Sequence, residues 1–184
     1  GNLNTGRQTL AGSGTQTAAL AFGGNTGPGA VTEAYNGSAW TEVNNLNNSR
    51  ERLAGSGTQT STLAYGGSAG SITGDTEKWN GTNWTEVNNL NTARYGLAGA
   101  GNSNTSALAF GGEDSTPSKS TATETWNGTN WTEVNNLNTA RRALAGAGIV
   151  TAALAFGGNT SPQTQTELWN GTNWTEVNDL NTAR

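Results

Sequence analysis

The stretch Thr76-Glu77-Lys78-Trp79-Asn80-Gly81-Thr82-Asn83-Trp84-Thr85-Glu86-Val87 decides the fold. Two short segments of alternating character flank Asn80 to Asn83. Asn-Gly between such segments is among the strongest hairpin signals, because both residues tolerate the φ values the turn needs. Pairing across this turn sets Trp79 opposite Trp84, Lys78 opposite Thr85 and Glu77 opposite Glu86. Residues two apart share a face of a strand, so the two tryptophans and the two glutamates lie on one side.

Working outward, the same wording returns around Tyr35 and Trp40, Trp126 and Trp131, and Trp169 and Trp174. The words Leu-Asn-Thr-Ala-Arg follow and end at Arg94, Arg141 and Arg184, with variants ending at Arg7 and Arg50. The chain of 184 residues is thus four tandem copies of one 43–47-residue unit. A period of that size marks a propeller, solenoid or array. Differences in length fall in two places only. The gap before the Leu-Ala-aromatic block is longer in the third copy, and the segment after the Gly-Gly doublet varies (25–31, 68–75, 113–122 and 159–165). Insertions confined to fixed places mark those places as loops.

Each remaining block reads as a strand. In Ala152-Ala153-Leu154-Ala155-Phe156, Leu154 and Phe156 take one face and small alanines the other. The block runs into Gly157-Gly158, as its counterparts run into Gly23-Gly24, Gly66-Gly67 and Gly111-Gly112, which permits a positive-φ exit. The glycine-rich segment after each arginine supplies a further strand. Four short strands per repeat is the blade pattern of a β-propeller. Helices are not expected, because Gly, Thr and Asn are frequent in every window.

The expected fold is therefore all-β: a single propeller domain over 1–184, made of four-stranded antiparallel blades at about 3–46, 47–90, 91–137 and 138–184. Residues 3–7 and 180–184 share one phase of the repeat, so no blade is built from both termini. A closed four-bladed ring is the preferred arrangement. The rival is part of a larger ring, completed by a second chain or by further repeats.

Composition removes several classes of function. Net charge is −4 and 12% of residues are charged, so the clustered Lys and Arg of a nucleic-acid surface are missing. No apolar run approaches the roughly 20 residues of a membrane span, and no membrane insertion is expected. The chain has no Cys, His or Met. That excludes disulfides, thiolate chemistry, imidazole bases and Cys/His metal sites, and no cofactor is expected. A start at Gly1 reads as a processed product or an excised segment.

The repeat resembles the kelch family, whose units carry a Gly-Gly doublet, an aromatic and a Trp several residues apart, and an Arg opening the next unit. Here those positions are Gly66-Gly67, Trp79, Trp84 and Arg94, with matching sets in the other repeats. The first aromatic is mostly Trp, with Tyr35 only in the first copy, and Asn-Gly replaces the Asp-Pro common in that family. The resemblance implies a propeller without implying a particular function. Kelch-type enzymes of the copper-dependent galactose oxidase group use His and Tyr ligands; this chain has no His. The motif wording is also similar to repeats of marine bacteriophage structural proteins, which implies a virion or extracellular setting.

The pairs Glu33/Glu42, Glu77/Glu86, Glu124/Glu133 and Glu167/Glu176 could be read as a glycosidase acid and base. An active site occurs once, whereas this feature recurs in every unit, so the structural reading is the better one for both members of each pair. Like charges directly opposite are destabilising. Arg50, Arg94 and Arg141 are therefore expected between two such carboxylates, in their own blade or the next. A ring of these arginines with Arg7 or Arg184, binding an anion at a channel mouth, is the lesser alternative. The Trp-flanked hairpin could stack on sugars, but its tryptophans sit at kelch packing positions.

Ligand binding is expected on the face shared by the variable loops and the interblade connectors. The third-repeat loop, with Glu113, Asp114, Pro117 and Lys119, is the first place to look. These readings favour a non-catalytic structural or interaction propeller, such as a phage fibre, spike or decoration module. Its partners would be a protein, a cell-surface glycan or another copy of itself, and not nucleic acid. A multivalent lectin with one site per blade is the second reading, and an engineered or consensus repeat scaffold the third.

Overall fold

The computed structural model describes residues 1–25, 29–116, 118–159 and 163–183. Within them the chain forms four antiparallel sheets of four strands, and no helix. The first sheet holds β1 (Ala11–Thr15), β2 (Ala18–Phe22), β3 (Thr32–Tyr35) and β4 (Trp40–Val43). The second holds β5 (Ala54–Thr58), β6 (Ser61–Tyr65), β7 (Thr76–Trp79) and β8 (Trp84–Val87). The third holds β9 (Ala98–Ser103), β10 (Ser106–Phe110), β11 (Thr123–Trp126) and β12 (Trp131–Val134). The fourth holds β13 (Ala145–Ile149), β14 (Ala152–Phe156), β15 (Thr166–Trp169) and β16 (Trp174–Val177). Each sheet is a meander whose spatial order follows the sequence. These are the blades of a β-propeller.

The outer hairpin has the register that its sequence dictates: Trp79 faces Trp84, Lys78 faces Thr85 and Glu77 faces Glu86. Its turn is closed by Asn80, whose Oδ1 accepts the amides of Thr82 and Asn83, both at 2.9 Å. Gly81 takes φ 95°, a conformation in which side chains are strained. The Gly-Gly exit behaves likewise. Gly66 and Gly67 have φ 66° and 107°, and a Cβ on Gly66 would lie 2.6 Å from the Arg94 carbonyl.

The inner strands β1, β5, β9 and β13 pack in sequence, each against the next. The core lies in the joints between blades rather than within any one blade. Leu20 and Phe22 of the first blade pack with Ala64, Trp79 and Trp84 of the second. Tyr65 does the same with Ala107, Ala109, Trp126 and Trp131, and Phe110 with Ala153, Ala155, Trp169 and Trp174. Ring centroids across the three joints are 4.9–5.1 Å apart for Phe22–Trp84, Tyr65–Trp131 and Phe110–Trp174. Such pairs contribute about 0.5–1.5 kcal/mol beyond their buried area. The indole N–H is satisfied as well: Trp84, Trp131 and Trp174 donate to Thr32, Thr76 and Thr123 of the preceding blade, each at 3.1 Å.

The recurrent arginines fasten neighbouring blades. The Arg94 carbonyl accepts the Gly67 amide of the second blade at 2.8 Å, while its guanidinium reaches Glu124 of the third at 2.9 Å. Arg50–Glu77 and Arg141–Glu167 repeat the pair at 3.1 and 2.8 Å, and Arg7–Glu33 opens the series at 3.1 Å. This corrects one expectation. Each arginine takes one carboxylate of the blade that follows it, and does not sit between two. One carboxylate suffices because the guanidinium also donates to carbonyls, Arg141 to those of Gln165 and Gly157.

The two glutamates of each pair lie in different settings. The strand register is as expected, with Glu33 opposite Glu42, Glu77 opposite Glu86, Glu124 opposite Glu133 and Glu167 opposite Glu176. Only the first member of each pair is buried. Glu42, Glu86, Glu133 and Glu176 are exposed and form no ion pair among the described residues. The reason is their place on β4, β8, β12 and β16, the outermost strand of each blade. There water solvates the carboxylate and screens it from its buried neighbour. Their contacts are rim contacts: Glu42 accepts the Thr5 hydroxyl at 3.4 Å, and Glu86 the Asn48 side-chain amide at 3.0 Å.

The ring does not close within the chain. Among the described residues, no packing joins β13 to β1 as it joins the other inner strands. Trp40 and Thr166, which stand where the other indole–hydroxyl bonds form, make no such bond. The preferred closed four-bladed ring is thus replaced by its rival, an arc of four blades with two open end faces.

Candidate functional site

The connectors between blades meet around the axis, on the side of the Gly-Gly exits. After each buried arginine the chain runs two residues and then a buried leucine: Leu53, Leu97 and Leu144 at the second to fourth blades. The first of the two pairs with the residue after Gly-Gly, giving the bridges Glu51–Ser68, Tyr95–Glu113 and Arg142–Asn159. The second is held in the left-handed region: Thr9 at φ 56°, Arg52 at 52°, Gly96 at 62° and Ala143 at 53°. For residues other than glycine this conformation costs roughly 1–2 kcal/mol. What holds it is a run of backbone bonds around the axis. The Arg52 amide donates to the Thr9 carbonyl at 2.8 Å, Gly96 to Arg52 at 2.8 Å, and Ala143 to Gly96 at 2.7 Å.

This run frames a cavity of about 440 Å³, lined by Thr9, Arg52, Tyr95, Gly96, Arg142 and Asn159 among others. The volume falls in the range of ligand pockets, about 300–1,000 Å³. Its polar groups converge on Tyr95. The phenol donates to Glu113 Oε1 at 2.6 Å, and Arg142 donates to the phenol oxygen at 3.0 Å and to Glu113 Oε2. The bond to the Glu113 carboxylate raises the Tyr95 pKa above the usual phenol value, so its proton is held. The Arg52 guanidinium lies over the Tyr95 ring, 5.5 Å from its centroid, an arrangement in which the ring face attracts the cation. Arg52 is exposed and forms no ion pair among the described residues.

The sequence points to this site only in part. Glu113 belongs to it. Asp114 does not: its Oδ1 accepts the amide and hydroxyl of Thr116 at 2.8 and 2.6 Å, which lowers its pKa and ties it into the loop. Lys119 is exposed and pairs with Glu113 only through the backbone. Pro117 and Arg184 lie outside the described residues. Arg50, Arg94 and Arg141 are buried in their ion pairs, so the cations at the mouth are Arg52 and Arg142 instead. Glu42, Glu86, Glu133 and Glu176 line the outer rim, away from the mouth. Trp79, Trp84, Trp126, Trp131, Trp169 and Trp174 are buried, whereas Tyr35 and Trp40 are half-buried. Arg52, Tyr95 and Arg142 have a sequence signal that residue-by-residue motif reading passes over. The two residues after the recurrent arginine are Gln8-Thr9, Glu51-Arg52, Tyr95-Gly96 and Arg142-Ala143, different in every copy.

No family model and no curated protein matches the chain. Among solved structures it is similar to the β-propeller YjhT, with a TM-score of 0.80 at 10% sequence identity. The match covers 99% of this chain and 68% of that one. At this identity the likeness concerns the fold alone: the arc superposes on about two thirds of a longer propeller chain.

Proposed function

We propose that the chain is a non-catalytic interaction module that presents the connector mouth to a protein or cell-surface glycan. One observation carries this reading. Four copies that agree almost word for word in their strands differ at the two connector positions that line the 440 Å³ cavity. A scaffold that served only to hold itself together would have no use for variation there, whereas loops on a rigid frame are where binding resides. The carboxylate pairs are divided between two settings: Glu77, Glu124 and Glu167 are buried against arginines, and Glu86, Glu133 and Glu176 lie in solvent at the rim. The likeness of the repeat wording to phage structural proteins supports a place on a virion fibre or decoration. A lectin with one site per blade is less well supported, because six of the seven tryptophans are buried and the mouth occurs once per arc.

The test is binding of the chain to a glycan array and to intact bacterial cells, beside the double variant Arg52→Ala/Arg142→Ala. Binding is expected to weaken by roughly tenfold or more in the variant, with unchanged circular dichroism. Binding that the variant leaves intact would place the site elsewhere. Absence of binding to both probes would leave a structural scaffold.

A further inference from the structure

The two end faces of the arc are unequal, and each matches the other. Among the described residues, the exposed large apolar side chains all lie in the fourth blade: Ile149, Leu154, Leu168 and Val177, at 38–42%. Leu154 and Leu168 are cross-strand partners on β14 and β15. The counterparts of Leu154 in the first three blades, Leu20, Leu63 and Leu108, are at most 1% exposed, because the next blade covers them. Phe156 is half-buried, whereas Phe22, Tyr65 and Phe110 are fully buried.

The first blade offers the complementary half. In the three joints that are made, the aromatic of one blade fills the space beside a glycine on the inner strand of the next. A Cβ on Gly55 would lie 2.4 Å from Phe22 Cζ, one on Gly99 1.7 Å from the Tyr65 hydroxyl, and one on Gly146 2.6 Å from Phe110 Cζ. The equivalent position on β1 is Gly12, where the one atom within reach is the Leu20 carbonyl of its own blade at 3.3 Å. No aromatic fills that recess. Trp40, on the outermost strand of the same blade, has its indole N–H not bonded across a joint, and the connector run ends on the Thr9 amide at one side and the Ala143 carbonyl at the other.

We propose that these faces are the two halves of one more interblade joint, made head to tail between copies of this chain. Phe156 of one copy enters the recess at Gly12 of the next, Trp40 donates to Thr166, and Thr9 donates to the Ala143 carbonyl. The occupant is a second copy because the groups that pack the three internal joints recur here, Phe156 and Thr166 on one face and Gly12, Trp40 and Thr9 on the other. Such a contact is heterologous: it closes as a ring of copies or continues as an open filament, according to the rotation per copy.

The test is solution mass by light scattering, with two variants that each block one face. Gly12→Val fills the recess of the first blade, and Leu154→Glu charges the face of the fourth. The parent chain is expected to form dimers or longer species as concentration rises. Each variant alone is expected to be monomeric with parental circular dichroism. An equimolar mixture of the two is expected to give a dimer and nothing larger, since one live face remains on each. Should Gly12→Val fail to fold, Ala19→Glu blocks the same face. A parent chain that stays monomeric, a Leu154→Glu variant that still associates, or a mixture that stays monomeric would each overturn the proposal.

Discussion

The ring of Phe110 occupies the space that a side chain at Gly146 would need, with a Cβ there 2.6 Å from Cζ. The joint between the third and fourth blades thus depends on the absence of one methyl group. Gly146→Ala must push the ring or the strand aside, an overpacking that costs typically 1–3 kcal/mol. Gly12→Ala, at the unfilled recess, is expected to change stability by no more than about 0.5 kcal/mol. Urea unfolding of the two variants checks the contrast; equal losses would mean that the recesses are equivalent and the arc is not open.

The Arg94–Glu124 pair is buried on both sides. Arg94→Met leaves the carboxylate buried without its cation, a change that costs about 3–5 kcal/mol. Adding Glu124→Gln removes the charge and keeps one acceptor oxygen, which can take the shorter bond, from the Asn91 amide at 2.8 Å, while the longer one from Thr92 is given up. The double variant should regain much of the loss. A double variant no more stable than the single one would show that the arginine acts through its carbonyl contacts and not through the ion pair.

Burial outweighs the Asn91 and Thr92 amides and the Arg94 charge, and it raises the Glu124 pKa above the ordinary carboxyl value of 4.5. The folded chain then holds this proton more tightly than the unfolded chain. Stability therefore falls as pH rises from the unfolded pKa through the folded one. Glu124→Gln removes that slope. The difference in unfolding free energy between parent and variant, followed upward from pH 4, should shift steadily against the parent; a constant difference would contradict the raised value.

Much of this fold was legible because it is written four times. The Asn80-Gly81 turn, the Trp79–Trp84 register and the Gly66-Gly67 exit follow from local backbone preference, and repetition removed the ambiguity of short strands. Repetition alone does not separate Glu133, which stands in water, from the buried Glu124; strand order in the blade does. Closure was not legible. It depends on the angle between blades, which is set by how deeply Phe22, Tyr65 and Phe110 seat beside Gly55, Gly99 and Gly146. No local pattern encodes that depth. The mouth was legible only in part. Recurrence marks residues such as Arg94, while the residues that line the cavity, Arg52, Tyr95 and Arg142, are the ones that do not repeat.

Trp40 is half-buried, whereas the other six tryptophans are at most 5% exposed. Acrylamide should therefore quench one fluorescence component readily, and Trp40→Phe should remove it. In the associated state the same component is expected to become protected. Uniform quenching of all the tryptophans would contradict the open face on the first blade.

The central claim, that four blades form an arc whose ends do not meet, is tested most directly by a distance. The chain contains no cysteine, so spin labels can be placed at will on equivalent exposed hairpin positions. Ser38, Thr82 and Thr172 hold the same position in the first, second and fourth blades. Pulsed electron resonance on Ser38→Cys/Thr172→Cys, diluted with unlabelled chain, compares the first and fourth blades. The Ser38→Cys/Thr82→Cys pair gives the spacing of true neighbours. The account predicts a first-to-fourth distance clearly longer than the neighbour distance. Equal distances would mean a closed four-bladed ring and would contradict it.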